Sequence, residues 1–303
     1  MSFRLTILGT SSALPTSERY PTAHVLNAHE RLYLIDCGEG TQMQLRRYRI
    51  RLGKISHIFI SHLHGDHMFG LYGLLSTFNL MGRKEPVWLY GPKDLERLIN
   101  QHFTDFDIHL NFEVKFYGLS GSATETILET KKLIVSSFPL KHRVPAYGYL
   151  FREKEADRNI LKDKISLYNI SIKDIAAIKK GADLTLDDGT IIPNDMLTVP
   201  PPKPKSYAFC SDTGYFKKLH TYFKDVDLLY HEATFDKSKT DLAHQTGHST
   251  ATEAAMVARE AGVKRLIIGH FSARYKDPSS LEAEAREIFP DTTAATDGTT
   301  YEI

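Results

Sequence analysis

The sequence predicts a mixed α/β (α+β) fold, and three observations carry that reading. Short apolar, β-branched runs such as Ile55-Ser56-His57-Ile58-Phe59-Ile60 end in polar residues or glycines and give way to helical periodicity, the pattern of strands feeding helices. Between residues 110 and 151 apolar and polar residues alternate instead, as in antiparallel strands. Finally, several apolar runs are closed by a side chain able to bind a metal, at the strand ends where open α/β sheets form their crevices.

Residues 3–8 read as the first strand, closed by the Gly9-Thr10-Ser11-Ser12 turn and followed by a polar loop from Pro15 to Thr22. Strands at 25–27 and 31–35 lead into the glycine-rich Asp36-Cys37-Gly38-Glu39-Gly40-Thr41 and a helix at 41–48. Arg46, Arg47, Arg49, Arg51 and Lys54 form a basic run that suits a solvated helix face and a phosphate contact equally. Strand 55–60 and a helix starting at Met68 flank the densest polar motif; strand 87–90 and helix 93–103 follow. Strands at 112–117, 126–130, 132–138 and 147–151 read as antiparallel.

Composition changes at Arg152. The next thirty or so residues are rich in charge, with helical periodicity from Asn159 to Ile178; a hairpin turn at Asp187-Asp188-Gly189 and a stiff Pro200-Pro201-Pro202-Lys203-Pro204 connector carry the stretch to 205. This stretch is read as an inserted arm and connector, and residues 1–151 with 206–303 as one core domain. The core resumes with strand 207–211 and the run Leu228-Leu229-Tyr230. A helix at 250–261 has Ser249 or Thr250 and Glu253 placed as a capping box. Strand 265–269, a helix at 279–288 and a last strand near 293–296 complete the chain.

With 303 residues the chain can bury a substantial core, and its 38 Lys and Arg nearly balance its 37 Asp and Glu. Net charge therefore does not advertise nucleic-acid or membrane binding, so an anionic substrate must meet local patches. Cys37 and Cys210 lie in or beside strands and read as reduced thiols rather than a disulfide framework. The N-terminus opens as strand and turn, not as a signal peptide, and no apolar run is long enough to span a bilayer. A soluble, cytoplasmic protein is expected.

The chemistry concentrates in Ser61-His62-Leu63-His64-Gly65-Asp66-His67. His62 and His64, two apart, can point at one ion while Asp66 and His67 turn toward a second. Imidazole with carboxylate suits zinc or a similar first-row ion. Further donors close later strands: His142 after Leu133–Phe138, Asp212 after Tyr207–Ser211, and His270 after Leu266–Gly269.

The motif His62-x-His64-x-Asp66-His67, with His142, Asp212 and His270 downstream in that order, resembles the metallo-β-lactamase superfamily. Within it the chain resembles the short form of the tRNase Z (ribonuclease Z) family almost end to end. The similarity includes Tyr90-Gly91-Pro92, Ser211-Asp212-Thr213, His231-Glu232-Ala233-Thr234-Phe235, His248-Ser249-Thr250 and His270-Phe271-Ser272-Ala273-Arg274-Tyr275. Two stretches depart from the family pattern. Ser171-Ile172-Lys173-Asp174 stands where family arms carry a Gly-Pro turn, and the first loop keeps only Pro15 and Arg19 of the residues thought to reject CCA ends.

The resemblance implies a four-layer αββα sandwich, a homodimer, and an arm that acts as a tRNA-binding exosite. It implies two zinc ions per subunit: one held by His62, His64, His142 and Asp212, the other by Asp66, His67, Asp212 and His270. Two ions meet the need for a strong nucleophile at neutral pH, since metal binding lowers the pKa of water toward ~7. Asp66 is the implied proton acceptor, and His248, oriented by Glu232, the implied general acid. Arg274 and Arg19 are the implied substrate contacts. The implied reaction is endonucleolytic removal of the 3′ trailer from precursor tRNA, leaving a tRNA 3′-hydroxyl and a trailer 5′-phosphate. The competing reading is a small-substrate phosphodiesterase of the same superfamily.

Overall fold

The computed structural model describes residues 3–303; Met1 and Ser2 lie outside them. In β1 (Phe3–Gly9), Phe3, Leu5 and Ile7 are buried while Arg4 is exposed, as the two-residue period of a strand requires. It pairs antiparallel with β2 (Ala23–Ala28), and β2 with β3 (Arg31–Ile35). Helix α1 (Thr41–Arg47) then crosses to β4 (Ile55–Phe59). The next helix begins earlier than expected. Gly65–Met68 is already α2, followed by α3 (Gly70–Leu80), so Asp66 and His67 lie in a first helical turn. After β5 (Val87–Pro92) and α4 (Asp94–Asp105) comes β6 (Val114–Leu119).

Here the structure corrects the antiparallel reading of 112–117. β6 lies parallel to β5 and belongs to the first sheet, because α4 returns the chain as a crossover. Only β7 (Glu125–Glu129), β8 (Leu133–Pro139) and β9 (Tyr147–Glu153) enter the second sheet.

Residues 130–133 and 153–204 form a compact unit of their own. In it β10 (Asn159–Ile160) is followed by α5 (Lys162–Leu167) and α6 (Ile172–Lys179). The continuous helical periodicity from Asn159 to Ile178 is therefore broken. Asn169 adopts a left-handed φ of 48°, and the Ser171 side chain accepts from the Asp174 amide at 3.2 Å to start α6 afresh. A hairpin of β11 (Leu184–Thr185) and β12 (Ile191–Ile192) precedes α7 (Asn194–Leu197) and β13 (Thr198–Val199), which pairs with β10. Ile170, Ile178, Leu184 and Leu197 make this unit's small core.

The larger unit resumes with β14 (Ser206–Cys210), all five residues buried, and continues through β15 (Leu228–Glu232), α8 (Thr240–Thr246), α9 (Ala251–Ala261), β16 (Arg265–Gly269), α10 (Ser279–Arg286) and β17 (Thr292–Ala294). Thr250 is the residue that caps α9, in a full capping box with Glu253. A final strand missed in the sequence, β18 (Thr300–Glu302), pairs with β1.

Among the described residues there are two seven-stranded sheets, ordered β18-β1-β2-β3-β4-β5-β6 and β17-β16-β15-β14-β9-β8-β7. Their facing sides meet through aromatic rings. Phe59 lies 5.3 Å from Phe151 between centroids, and His24 lies 5.0 Å from Phe209. Outer faces are covered by α1, α3 and α4 on one sheet, through Leu45, Leu74 and Ile99. On the other sheet α9 and α10 do the same through Ala254, Val257 and Leu281. The architecture is an αββα sandwich, and it leaves the loops after β3, β4, β14, β15 and β16 available to build a site along one edge.

Candidate metal centre

Seven side chains from four segments of the chain meet at that edge. His62, His64 and His142 gather with Asp212, and Asp66, His67 and His270 gather with the same Asp212; in each group the donor atoms lie within 4.8 Å of one another. The histidines after β4 arrive on an extended loop and the first turn of α2; His142 comes from the loop between β8 and β9; His270 follows β16 in a left-handed backbone, φ 59°.

Hydrogen bonds behind the rings determine which nitrogens carry protons. His142 Nδ1 lies 2.8 Å from the carbonyl oxygen of Gly247, which can only accept, so the neutral ring presents a lone pair at Nε2. His67 Nδ1 lies 2.7 Å from Asp36 Oδ2, with the same result. The Thr234 hydroxyl donates to Glu232 Oε2 at 2.7 Å, so it accepts from His270 Nδ1 at 2.9 Å. Three Nε2 lone pairs thus point inward. They face other nitrogens: His142 Nε2 is 3.3 Å from His64 Nδ1, and His67 Nε2 is 3.3 Å from His270 Nε2. Asp212 Oδ1 is buried without a hydrogen-bond partner. Converging lone pairs and an unpartnered buried carboxylate oxygen are what a cation satisfies. The residues therefore fit a metal centre of mixed imidazole and carboxylate donors.

The electrostatics agree. Burial alone would lift the Asp212 carboxyl, but His270, His67 and His62 hold it well below the ordinary range. Burial would lower His67, yet Asp212, Asp66 and Asp36 drive it well above its usual value. That upward pull records the demand of three carboxylates for a positive charge at this spot, which a cation on the free Nε2 would meet.

His248 belongs to a second arrangement. Its Nδ1 lies 2.9 Å from Glu232 Oε1, leaving Nε2 free. Burial opposes its protonation, but the Glu232 carboxylate prevails and raises it to about 9. Glu232 is itself pinned by the amides of Thr213, Thr234 and Ser249. His231 points away: it is fully buried and its Nδ1 meets the Glu232 carbonyl at 2.6 Å.

The two arginines differ. Arg274 is exposed, its guanidinium 5.0 Å over the Phe235 ring, which in turn lies 6.2 Å from His248. Arg19 does not join the donor cluster. It donates to the Ser272 carbonyl at 3.3 Å and lies over Phe271, bracing the first loop.

Sequence reasoning gave no role to Asp36, Thr234 or Gly247, each of which orients a ring from behind. Asp36 also accepts from the Ser61 amide and hydroxyl at 2.7 and 2.8 Å. An aspartate closing β3 was a visible signal; a threonine and a backbone carbonyl carry none.

Fold and site together define a metallo-β-lactamase-type hydrolase with a metal centre. A protein-family model described as anti-Pycsar protein Apyc1 matches residues 3–105. Ribonuclease Z of Phocaeicola vulgatus is 46% identical over 293 residues, 97% of this chain and 95% of that protein. Ribonuclease Z of Cytophaga hutchinsonii is 43% identical, covering 100% of this chain and 97% of its own length. Among solved structures, human tRNase Z, short form, is 28% identical with a TM-score of 0.72, and 99% of each chain is covered. The chain belongs to the ribonuclease Z family, phosphodiester hydrolases of tRNA 3′ processing. Among the described residues no helix is long and apolar enough to cross a membrane.

Proposed function

We propose that this centre holds two zinc ions and cuts the 3′ trailer from precursor tRNA in the cytoplasm, leaving a 3′-hydroxyl on the tRNA and a 5′-phosphate on the trailer. His62, His64, His142 and Asp212 would hold one ion; Asp66, His67, His270 and Asp212 the other. When bound, such ions lower the pKa of water and offset charge on the phosphate oxygens. The observation carrying this reading is the convergence of the His67 and His270 Nε2 atoms, at 3.3 and 3.2 Å, on the orphaned Asp212 Oδ1.

The chain's own groups then divide the labour. Asp66 accepts the proton of the attacking water. His248, held as a cation by Glu232, donates from Nε2 to the departing 3′-oxygen. Arg274 is free to fork onto a phosphate, and Arg19 holds the loop against Ser272 beside it.

The unit spanning 153–204 is proposed as the tRNA exosite, on the strength of its charged surface and independent core. A homodimer is proposed through α1–α3. That helix pair is joined by the Thr77–Gln42 hydrogen bond, and Met43 and Leu80 are 61% and 87% exposed on it. The decisive experiment is cleavage of a precursor tRNA with both new ends mapped, alongside metal analysis. A preparation with two zinc per chain that cleaves only small diesters would overturn the tRNA assignment.

A further inference from the structure

Far from the metal centre, the basic run that follows α1 reaches a cavity of about 580 Å³ lined by Arg4, Tyr48, Arg49, Arg51 and Lys54, with Glu30 its one acidic wall residue. Sheet register separates the two places. Gly9 and Ala23 pair at the end leading to the metal centre, whereas Arg4 pairs with Asn27 and Glu302 at the opposite end. Five residues of strand put roughly 16 Å between those ends.

Three features make this cavity a ligand site. Among the described residues, Arg49, Arg51 and Lys54 form no ion pair within the larger unit, and all three are exposed. With a formal net charge of only +1 over the whole chain, such a local excess is not general background. The half-buried Tyr48 and Ile50 supply an apolar wall beside the cations, and Thr6 and Thr300 hydroxyls, 2.9 Å apart, supply donors. Ring, apolar wall and clustered cations are the combination that tracks single-stranded nucleic acid, bases against the ring and phosphates on the cations.

We infer that this cavity binds the phosphodiester backbone of one or two nucleotides of the RNA substrate, at a second contact remote from the cut. The inference rests on the ribonuclease reading of the catalytic centre. A free mononucleotide would present the same phosphate chemistry, and the test separates the two.

The test compares the zinc-loaded protein with R49Q/R51Q/K54Q and with a charge-matched control, K217Q/K218Q/K224Q. Binding to a precursor tRNA with a methylphosphonate at the scissile link is followed by fluorescence anisotropy from 50 to 200 mM salt; 5′-AMP is titrated by calorimetry. The expected result is that the cavity variant binds precursor about tenfold more weakly at low salt, with a log Kd–log salt slope shallower by about 2. The control should keep the wild-type slope, and cleavage of bis(p-nitrophenyl) phosphate should be unchanged in both. An unchanged slope, an equal loss in the control, or a loss confined to 5′-AMP overturns the inference. Wild-type protein that neither binds nor cleaves precursor tRNA would instead sink the ribonuclease reading, a distinguishable failure.

Discussion

The carbonyl oxygen of Gly247 accepts a hydrogen bond from His142 Nδ1 at 2.8 Å, so the loop that presents His248 also sets the tautomer of His142. One short segment thereby couples the orientation of a metal donor to the placement of the proton donor. Gly247 can do this because it adopts φ 75°, and a Cβ there would fall 2.9 Å from His142 Nδ1.

Gly247→Ala should therefore disturb both functions. The expected outcome is a loss of about 1–2 kcal/mol in stability, the cost of an L-residue in the left-handed region, together with zinc affinity reduced by roughly 10- to 100-fold as the group behind His142 shifts. Competition with a chromophoric chelator measures the affinity. Wild-type affinity in this variant would show that the carbonyl is not needed to orient the ring.

Asp36 holds His67 from behind and takes two further bonds from Ser61. Its φ of 56° is a conformation that asparagine also tolerates, so Asp36→Asn should fold. It should bind metal about 10- to 100-fold more weakly, since an amide is a poorer acceptor behind an imidazole ligand. Metal content after dialysis against graded chelator decides the matter.

His248 and Glu232 separate chemistry from metal binding. His248→Ala should lower kcat on precursor tRNA by about 10²- to 10⁴-fold while zinc content stays at the wild-type level. Bis(p-nitrophenyl) phosphate, whose leaving group departs without a proton, should lose far less. Equal losses on both substrates would mean that His248 serves the phosphate rather than the leaving oxygen.

Removing the smaller unit must respect its core. Cutting 155–180 alone would strip Ile170 and Ile178 from Leu184 and Leu197. Arg152 and Ser206 are register partners on β9 and β14, so a short glycine-serine turn can replace 153–205. This variant should bind precursor tRNA at least tenfold more weakly, about 1.4 kcal/mol, with small-diester turnover retained. Parallel loss of both activities would refute the exosite proposal.

His24 is fully buried between Phe209 and Tyr230, and burial lowers its pKa to about 3. In the unfolded chain it takes a proton near pH 6.5, so between 6.5 and about 3 the unfolded state binds more protons. Its contribution to stability is complete above pH 6.5 and is lost as pH falls through that window. His24→Gln, which cannot titrate, should flatten the acid limb of the urea-midpoint curve there. An identical pH dependence in wild type and variant would exclude His24 as a source of that limb.

Much of this molecule could be read from local pattern. The strand at 55–59, the donors crowded into 62–67 and the capping box of Thr250 and Glu253 are short-range signals, and a few residues suffice to write them. Pairing is different. β6 lies in the first sheet because a crossover helix carried it there, and β18 exists only because β1 offers it an edge. Likewise, Asp36, Thr234 and the Gly247 carbonyl gain their meaning from rings more than thirty residues away along the chain. Composition records which groups are present, whereas proton position depends on what each nitrogen faces once the two sheets have closed.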